Sequence, residues 1–272
     1  MNQSKHRFAV LLLASFAVVL APVWARADFS GFGDFSGFKI NQNDGQSAPT
    51  VTISPNPLNS TIHLTGPGFF ESRSIFDKTP QPTSAHFTAS FTYQETGPSD
   101  VAGFAFVLQN SGAGFNAVGG NENGLGYSGI GSSEAVEFIL FSPFTTGLFA
   151  NGNVGAGSNS ISPVSLLTGH PINVNINYDG AILRETVTDM VTLVSSPTLL
   201  IPVQLPSTAY VGLTAGTDNG VDQLFSNFQF TTTNIPEPSS LVLAGAGAAG
   251  LLGLGRRHTG RGKCDATRSC TA

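Results

Sequence analysis

Short runs in which apolar and polar residues alternate recur along most of the chain, and no long stretch repeats with a helical period. A period of two marks strands that bury one face. Residues 61–65 read T-I-H-L-T, and residues 85–93 read A-H-F-T-A-S-F-T-Y. Residues 101–109, 135–141, 174–178, 209–215 and 224–230 follow the same pattern. Asp179-Gly180 between two such runs predicts a tight hairpin with φ > 0 at both central positions. The stretches 49–57, 80–82 and 154–163, rich in Pro, Gly and Ser, read as loops. Many short strands separated by turn clusters predict an all-β sandwich or jelly roll.

The two ends break the pattern. Lys5 and Arg7 precede an apolar run from Phe8 to Val23, followed by Ala25-Arg26-Ala27. A basic start, an apolar stretch and small residues at −3 and −1 predict a signal helix over residues 1–27, cut between Ala27 and Asp28. At the other end, residues 239–255 are free of charge, and Arg256, Arg257, Arg261 and Lys263 follow. Seventeen residues are just enough for one transmembrane helix. The basic flank places residues 256–272 in the cytoplasm and the rest outside. The expected order is signal (1–27), sandwich (28–231), linker (232–238), membrane helix (239–255) and basic tail (256–272). Near the predicted new terminus, Phe29-Ser30-Gly31-Phe32 recurs as Phe35-Ser36-Gly37-Phe38. Six residues is too short a period for a solenoid, so this reads as a local duplication whose first copy frays.

Residues 28–235, about 208 in all, are enough for one large domain with its own core. They hold four basic residues, Lys39, Arg73, Lys78 and Arg184, against fourteen acidic ones besides Asp28. So sparse and acidic a surface excludes nucleic acid as a partner, since that needs clustered Lys and Arg. Both cysteines, Cys264 and Cys270, lie beyond the membrane segment, so the domain has neither disulfide nor thiolate metal site. No cofactor is expected.

Few motifs bear on chemistry. Residues 245–250 match G-x-G-x-x-G, but inside the membrane segment, where small residues let helices approach. Glu134 and Glu137 are the closest acidic pair in a strand. Three residues apart, they face opposite sides and do not flank one glycosidic bond. His63, His86 and His170 stand outside any nucleophile or metal pattern. The reading is a protein that is not an enzyme.

Two resemblances add to this. Pro236-Glu237-Pro238, the apolar segment and Arg256-Arg257 resemble, in that order, the PEP-CTERM sorting signal. The resemblance implies a bacterial source, transient membrane attachment and cleavage by a membrane-embedded exosortase near Pro-Glu-Pro. It also implies a final place in the envelope, at the cell surface or in the medium, commonly beside exopolysaccharide. The tail departs from the pattern by running fifteen residues past Arg257.

Residues 29–230 resemble the legume (L-type) lectins, above all bacterial members. Phe35-Ser36-Gly37-Phe38, residues 84–93, Gly103-Phe104-Ala105-Phe106, Gly124-Leu125-Gly126-Tyr127, Val136-Glu137-Phe138, Asn151-Gly152-Asn153 and Tyr210-Val211-Gly212-Leu213 occur in the family's order. The family implies a concanavalin-like sandwich of two antiparallel sheets. It also implies a sugar site in which calcium and manganese fix an Asp and an Asn. Here Ala102 stands at that Asp, with Asp100 two residues away. Of the metal-binding Glu-x-Asp pair, Glu137 remains as a lone remnant and Ile139 replaces the Asp. Pro143 falls at the Asn, and either Leu148 or Phe149 at the second Asp. One carboxylate does not hold a metal pair, so no metal ligand set is expected. The resemblance leaves Asp100, Gly120, Asn121, Tyr127 and Asn151 as carbohydrate candidates, with Phe115, Phe144 and Phe149 as further stacking rings. Polysaccharide or matrix association without metal is the expected function, and a structural or adhesive matrix role the alternative.

Overall fold

The computed structural model describes residues 28–97 and 102–233. The expected signal helix, Asp100, the Pro236-Glu237-Pro238 site and the membrane helix lie outside the described residues. The described chain forms sixteen strands. They are β1 (Phe29–Ser30), β2 (Phe38–Gln42), β3 (Thr50–Thr52), β4 (Thr61–His63), β5 (Phe69–Asp77), β6 (Gln81–Pro82), β7 (His86–Thr96) and β8 (Gly103–Gln109). After a long loop come β9 (Ser133–Ile139), β10 (Thr145–Ala150), β11 (Asn159–Ser160), β12 (Ile172–Tyr178), β13 (Ile182–Asp189), β14 (Leu199–Pro202), β15 (Thr208–Asn219) and β16 (Asp222–Thr233).

They build two antiparallel sheets. The first runs β14-β13-β12-β7-β16-β4-β3, with β1 on β16. The second runs β11-β10-β9-β8-β15-β5-β2, with β6 on β15. The alternation of β7 buries Phe87, Ala89, Phe91 and Tyr93 against the second sheet. Phe104, Phe138 and Phe225 close on Phe91 and Tyr93, with ring centroids 4.5–6.3 Å apart. β8 is buried on both faces, because loops cover its outer side. There Ala105, Val107, Leu125, Tyr127, Ile130 and Ile139 form a second, smaller core.

A bulge joins the chain's first and last strands. The register of β16 on β7 shifts between Ser226 and Gln229, and Asn227 takes φ 54°. The extra residue lets Phe225 and Phe228, three apart, both face the core. Phe228 meets Phe29, Phe32 and Phe38, so the duplicated F-S-G-F segment is core. Its first copy does not fray: Phe29 pairs with Phe230, and Asp28 accepts a hydrogen bond from Thr232 N at 2.7 Å.

Other local expectations also change. The Asp179-Gly180 turn has a positive φ only at Gly180. Instead, the Asp179 carboxylate accepts from Ala181 N and Ile182 N, and this side-chain cap replaces the second left-handed residue. The expected loops at 49–57, 80–82 and 154–163 contain the short strands β3, β6 and β11.

Register fixes the two poles of the sandwich. Thr233, where β16 ends, pairs with His86 at the start of β7. At the opposite pole lie the pairs Asp222–Thr96, Gly103–Ile139 and Phe69–Asn219. The chain therefore leaves at one pole, and the loops that shape both clefts described below gather at the other.

Candidate functional site

The long loop after β8 climbs the outer face of the second sheet and folds back on itself. Gly119 N donates to Gly126 O at 2.7 Å, and Gly126 N to Gly120 O at 2.8 Å. Gly126 has φ +66°, and a Cβ there would lie 2.3 Å from Arg73 O. Only glycine lets the loop rest on β5 and β15. Tyr127, which follows, is buried, and its hydroxyl lies 2.8 Å from Ser133 Oγ and accepts from Gly152 N at 3.1 Å. It thus clasps the loop to the segment after β10. Tyr127→Phe should cost about 1–3 kcal/mol by leaving the Gly152 N–H unpaired, read from the shift of a urea midpoint.

Below the loop lies Glu137, which the resemblance to legume lectins would put at a metal position. Along β9, Val136 and Phe138 face the main core, while Ala135, Glu137 and Ile139 face the loops. The Glu137 side chain is buried. Its Oε2 accepts from Gly155 N at 3.2 Å, and Oε1 has no partner among the described residues. Burial pushes its carboxyl up to about 8, so it carries a proton at neutral pH. A neighbouring cation would hold it ionised. Buried Ala102 and Ile139 offer no side-chain oxygen. Among the described residues, no three His, Cys, Asp or Glu side chains come together as a metal site. The residues present do not fit the family's metal pair.

Above Glu137 opens a cleft of about 310 Å³, lined by Ala102, Asn123, Leu125, Ile139, Phe141 and Val154, with Gly155 and Ala156. Its wall is apolar apart from the Asn123 side chain. The Phe141 ring is 46 % exposed.

The sequence-named candidates among the described residues do not converge on this cleft. Gly120 and Asn121 sit in the overlying loop, where Gly120 N donates to Ser128 O and Asn121 O accepts from Gly124 N. Tyr127 is buried in the outer core, with its hydroxyl on Ser133 Oγ and Gly152 N. Asn151, with φ 57°, donates from its backbone to Ser133 O. Ser133 and Ile139 are six residues apart on β9, roughly 20 Å, so Asn151 belongs to the other end of that strand. Phe115 and Phe149 pack against the outer core, and Phe144 against the main core. Asn123 and Phe141 were not singled out. The available signal was a large ring, Phe141, placed next to a Ser-Pro turn just past a strand.

Residues 234–257 match the PEP-CTERM protein-sorting motif. No curated protein matches the sequence. Solved structures do match the fold. A lectin from Bauhinia forficata in complex with GalNAc is 16% identical, with TM-score 0.60, covering 77% of this chain and 99% of that one. Arcelin-5, a lectin-like defense protein from Phaseolus vulgaris, is 17% identical, with TM-score 0.55, covering 76% and 98%. The exoplasmic/lumenal domain of VIP36 in its Ca2+/Man2-bound form is 13% identical, with TM-score 0.53, covering 77% and 87%. The first two are a lectin and a lectin-like protein. The chain thus combines an antiparallel two-sheet sandwich, with the fold of these solved structures, and a PEP-CTERM protein-sorting motif that follows it.

Proposed function

We propose that this protein is a non-enzymatic module, sorted to the cell envelope, that associates with polysaccharide without a bound metal. One observation carries the reading: the loops over Glu137 are fixed by packing and by the Tyr127 hydroxyl. In the family this task falls to a metal pair; here a neutral carboxyl and an apolar layer take its place. The site is therefore preorganised without an ion, which lowers the ordering cost of binding. In the cleft, Phe141 presents a face for a sugar ring and Asn123 an amide for its hydroxyls. The sugars bound by the Bauhinia lectin and VIP36 favour the same ligand class.

Processing completes the picture. Signal cleavage between Ala27 and Asp28 creates an N-terminus that is already tied to Thr232. Exosortase cleavage near Pro236-Glu237-Pro238 then removes the membrane segment and Arg256-Arg257, releasing a domain of residues 28–231 with a short linker.

The mature protein is expected to be retained on immobilised polysaccharide equally with and without EDTA, and Phe141→Ala should weaken retention about tenfold, or ~1.4 kcal/mol. Retention abolished by EDTA, or absent on every polysaccharide tested, would sink the proposal. The apolar lining by Ala102, Ile139 and Val154 favours a second reading, a structural matrix protein. In that case Phe141→Ala changes nothing in a sugar assay.

A further inference from the structure

The pole opposite the chain's exit carries a second cleft, at the junction of the two sheets. It measures about 330 Å³ and is walled by residues 46–50, the turn between β4 and β5, and the side chains of His63, Glu71, Arg73 and Asp222. Nothing in the first cleft requires it. Thr96, which ends β7, is tied to one wall, and Ala102, just before β8, lines the other cleft. Thr96 and Ala102, the residues that end β7 and precede β8, thus each stand at one of the two clefts, in sheets that stack ~10 Å apart.

Its chemistry is specific. His63 Nδ1 lies 2.8 Å from both oxygens of Asp222, which also accepts from Thr96 Oγ1 at 3.0 Å. The carboxylate fixes Nδ1 of the ring as a donor, on a side chain that is 35 % exposed. Across the cleft, Arg73 is fully buried. Asp44, Glu71 and the Ser47 carbonyl hold its two terminal nitrogens, but Nε has no partner among the described residues. This buried N–H lacks an acceptor among the described residues, on a side chain that borders the cleft. Ser47, Thr50, His63 and Asp222 also line the cleft, and their side chains supply donors and acceptors together, the complement of a sugar hydroxyl. Against Arg73 stand Asp44, Glu71 and Asp222, so an anionic ligand meets an excess of negative charge.

Beside the cleft, directly after lining residue Gly68, come Phe69 and Phe70, 56 % and 48 % exposed, with centroids 6.4 Å apart. Phe70 has φ +57°, a conformation that bulky residues avoid. Two rings are held in solvent at the expense of backbone strain, and such strain clusters at binding sites.

We infer that this second cleft, with Phe69 and Phe70, is a carbohydrate subsite for an uncharged, hydroxyl-rich sugar unit. The ligand is then an internal stretch of a neutral polysaccharide that reaches both clefts. This rests on the polysaccharide reading above.

The test uses the mature protein, titrated with neutral gluco-, manno- and galacto-oligosaccharides of one to eight units and with oligouronates of matched length. Expected are affinity that rises with length, no oligouronate binding, and a loss of at least tenfold for long oligosaccharides in Asp222→Asn and Phe70→Gly. Phe70→Gly removes the ring and relieves the strain, so its loss of binding is not explained by misfolding. Phe141→Ala weakens every length. If Phe141→Ala weakens binding while Asp222→Asn and Phe70→Gly leave it unchanged at every length, this inference falls and the single-cleft reading stands. If the second-cleft variants lose binding while Phe141→Ala does not, the inference stands and the first cleft loses its role. Preference for oligouronates overturns the charge assignment. Absence of binding to every probe overturns both readings.

Discussion

Phe104→Ala is expected to destabilise the domain by ~3–5 kcal/mol, the usual cost of deleting a buried ring from a packed core. Phe104 is fully buried near the start of β8. It stacks on Tyr93 at 4.5 Å and on Phe138 at 4.7 Å, and meets Phe91 and Phe225 edge-on at 6.1 and 5.4 Å. These partners come from both sheets, so no single element can move in to fill the space. Chemical denaturation of Phe104→Ala and of Phe69→Ala makes the contrast. The exposed Phe69 should change stability by about 0.5 kcal/mol or less. Equal midpoints for the two variants would refute this account of the core.

The second large effect is a dependence on pH, centred on Glu137. Its carboxyl is raised by burial from 4.5 to about 8. The folded state keeps the proton, whereas the unfolded chain gives it up above about pH 4.5. Stability from the neutral form is therefore fully present below pH 4.5 and is lost as pH rises through 8. By pH 8 the loss amounts to something on the order of 4 kcal/mol. Glu185 adds to the trend: burial pushes it up to about 7, against a hydrogen bond from Thr146 Oγ1 at 2.8 Å. At the acid end the sign reverses, because hydrogen bonds hold Asp179 and Asp189 below the ordinary carboxylate range. Denaturation midpoints should peak near pH 4–5 and fall towards pH 9. Glu137→Gln should flatten the alkaline fall. A wild-type midpoint constant from pH 5 to 9 would contradict a buried, protonated Glu137.

The core strands were legible because their alternation is strict. A-H-F-T-A-S-F-T-Y places Phe87, Ala89, Phe91 and Tyr93 on one face without ambiguity. β5 was not legible, although it is paired on both sides by β2 and β15. Its sequence, F-F-E-S-R-S-I-F-D, exposes its first two rings and buries Glu71 and Arg73, inverting the usual code. Those side chains are buried because Arg73 is paired with both Glu71 and Asp44, a fact that lies in tertiary contacts. At the site, the changes at Ala102 and Ile139 were readable residue by residue, and they become the apolar wall of the first cleft. What Tyr127 and Asn151 do depends on the path of the loops, which alternation does not encode. The His63–Asp222 pair joins residues 159 positions apart and leaves no local spacing to notice.

The pairing of β1 with β16 has a bearing on biogenesis. β16 lies inside the first sheet, between β7 and β4, and also carries β1. A chain that crosses a membrane N-terminus first delivers β16 last. Until then β7 and β4 have no strand between them, and Phe29 and Phe32 have no Phe228 to pack on. Such non-local closure is slow to form, because distant segments must meet before contacts reward them. The domain consequently stays unfinished, and pliable enough to be threaded, until its final strand has emerged. Residues 234–257, the sorting motif, follow that strand directly, so the sandwich can close only when the chain has been threaded as far as its sorting signal.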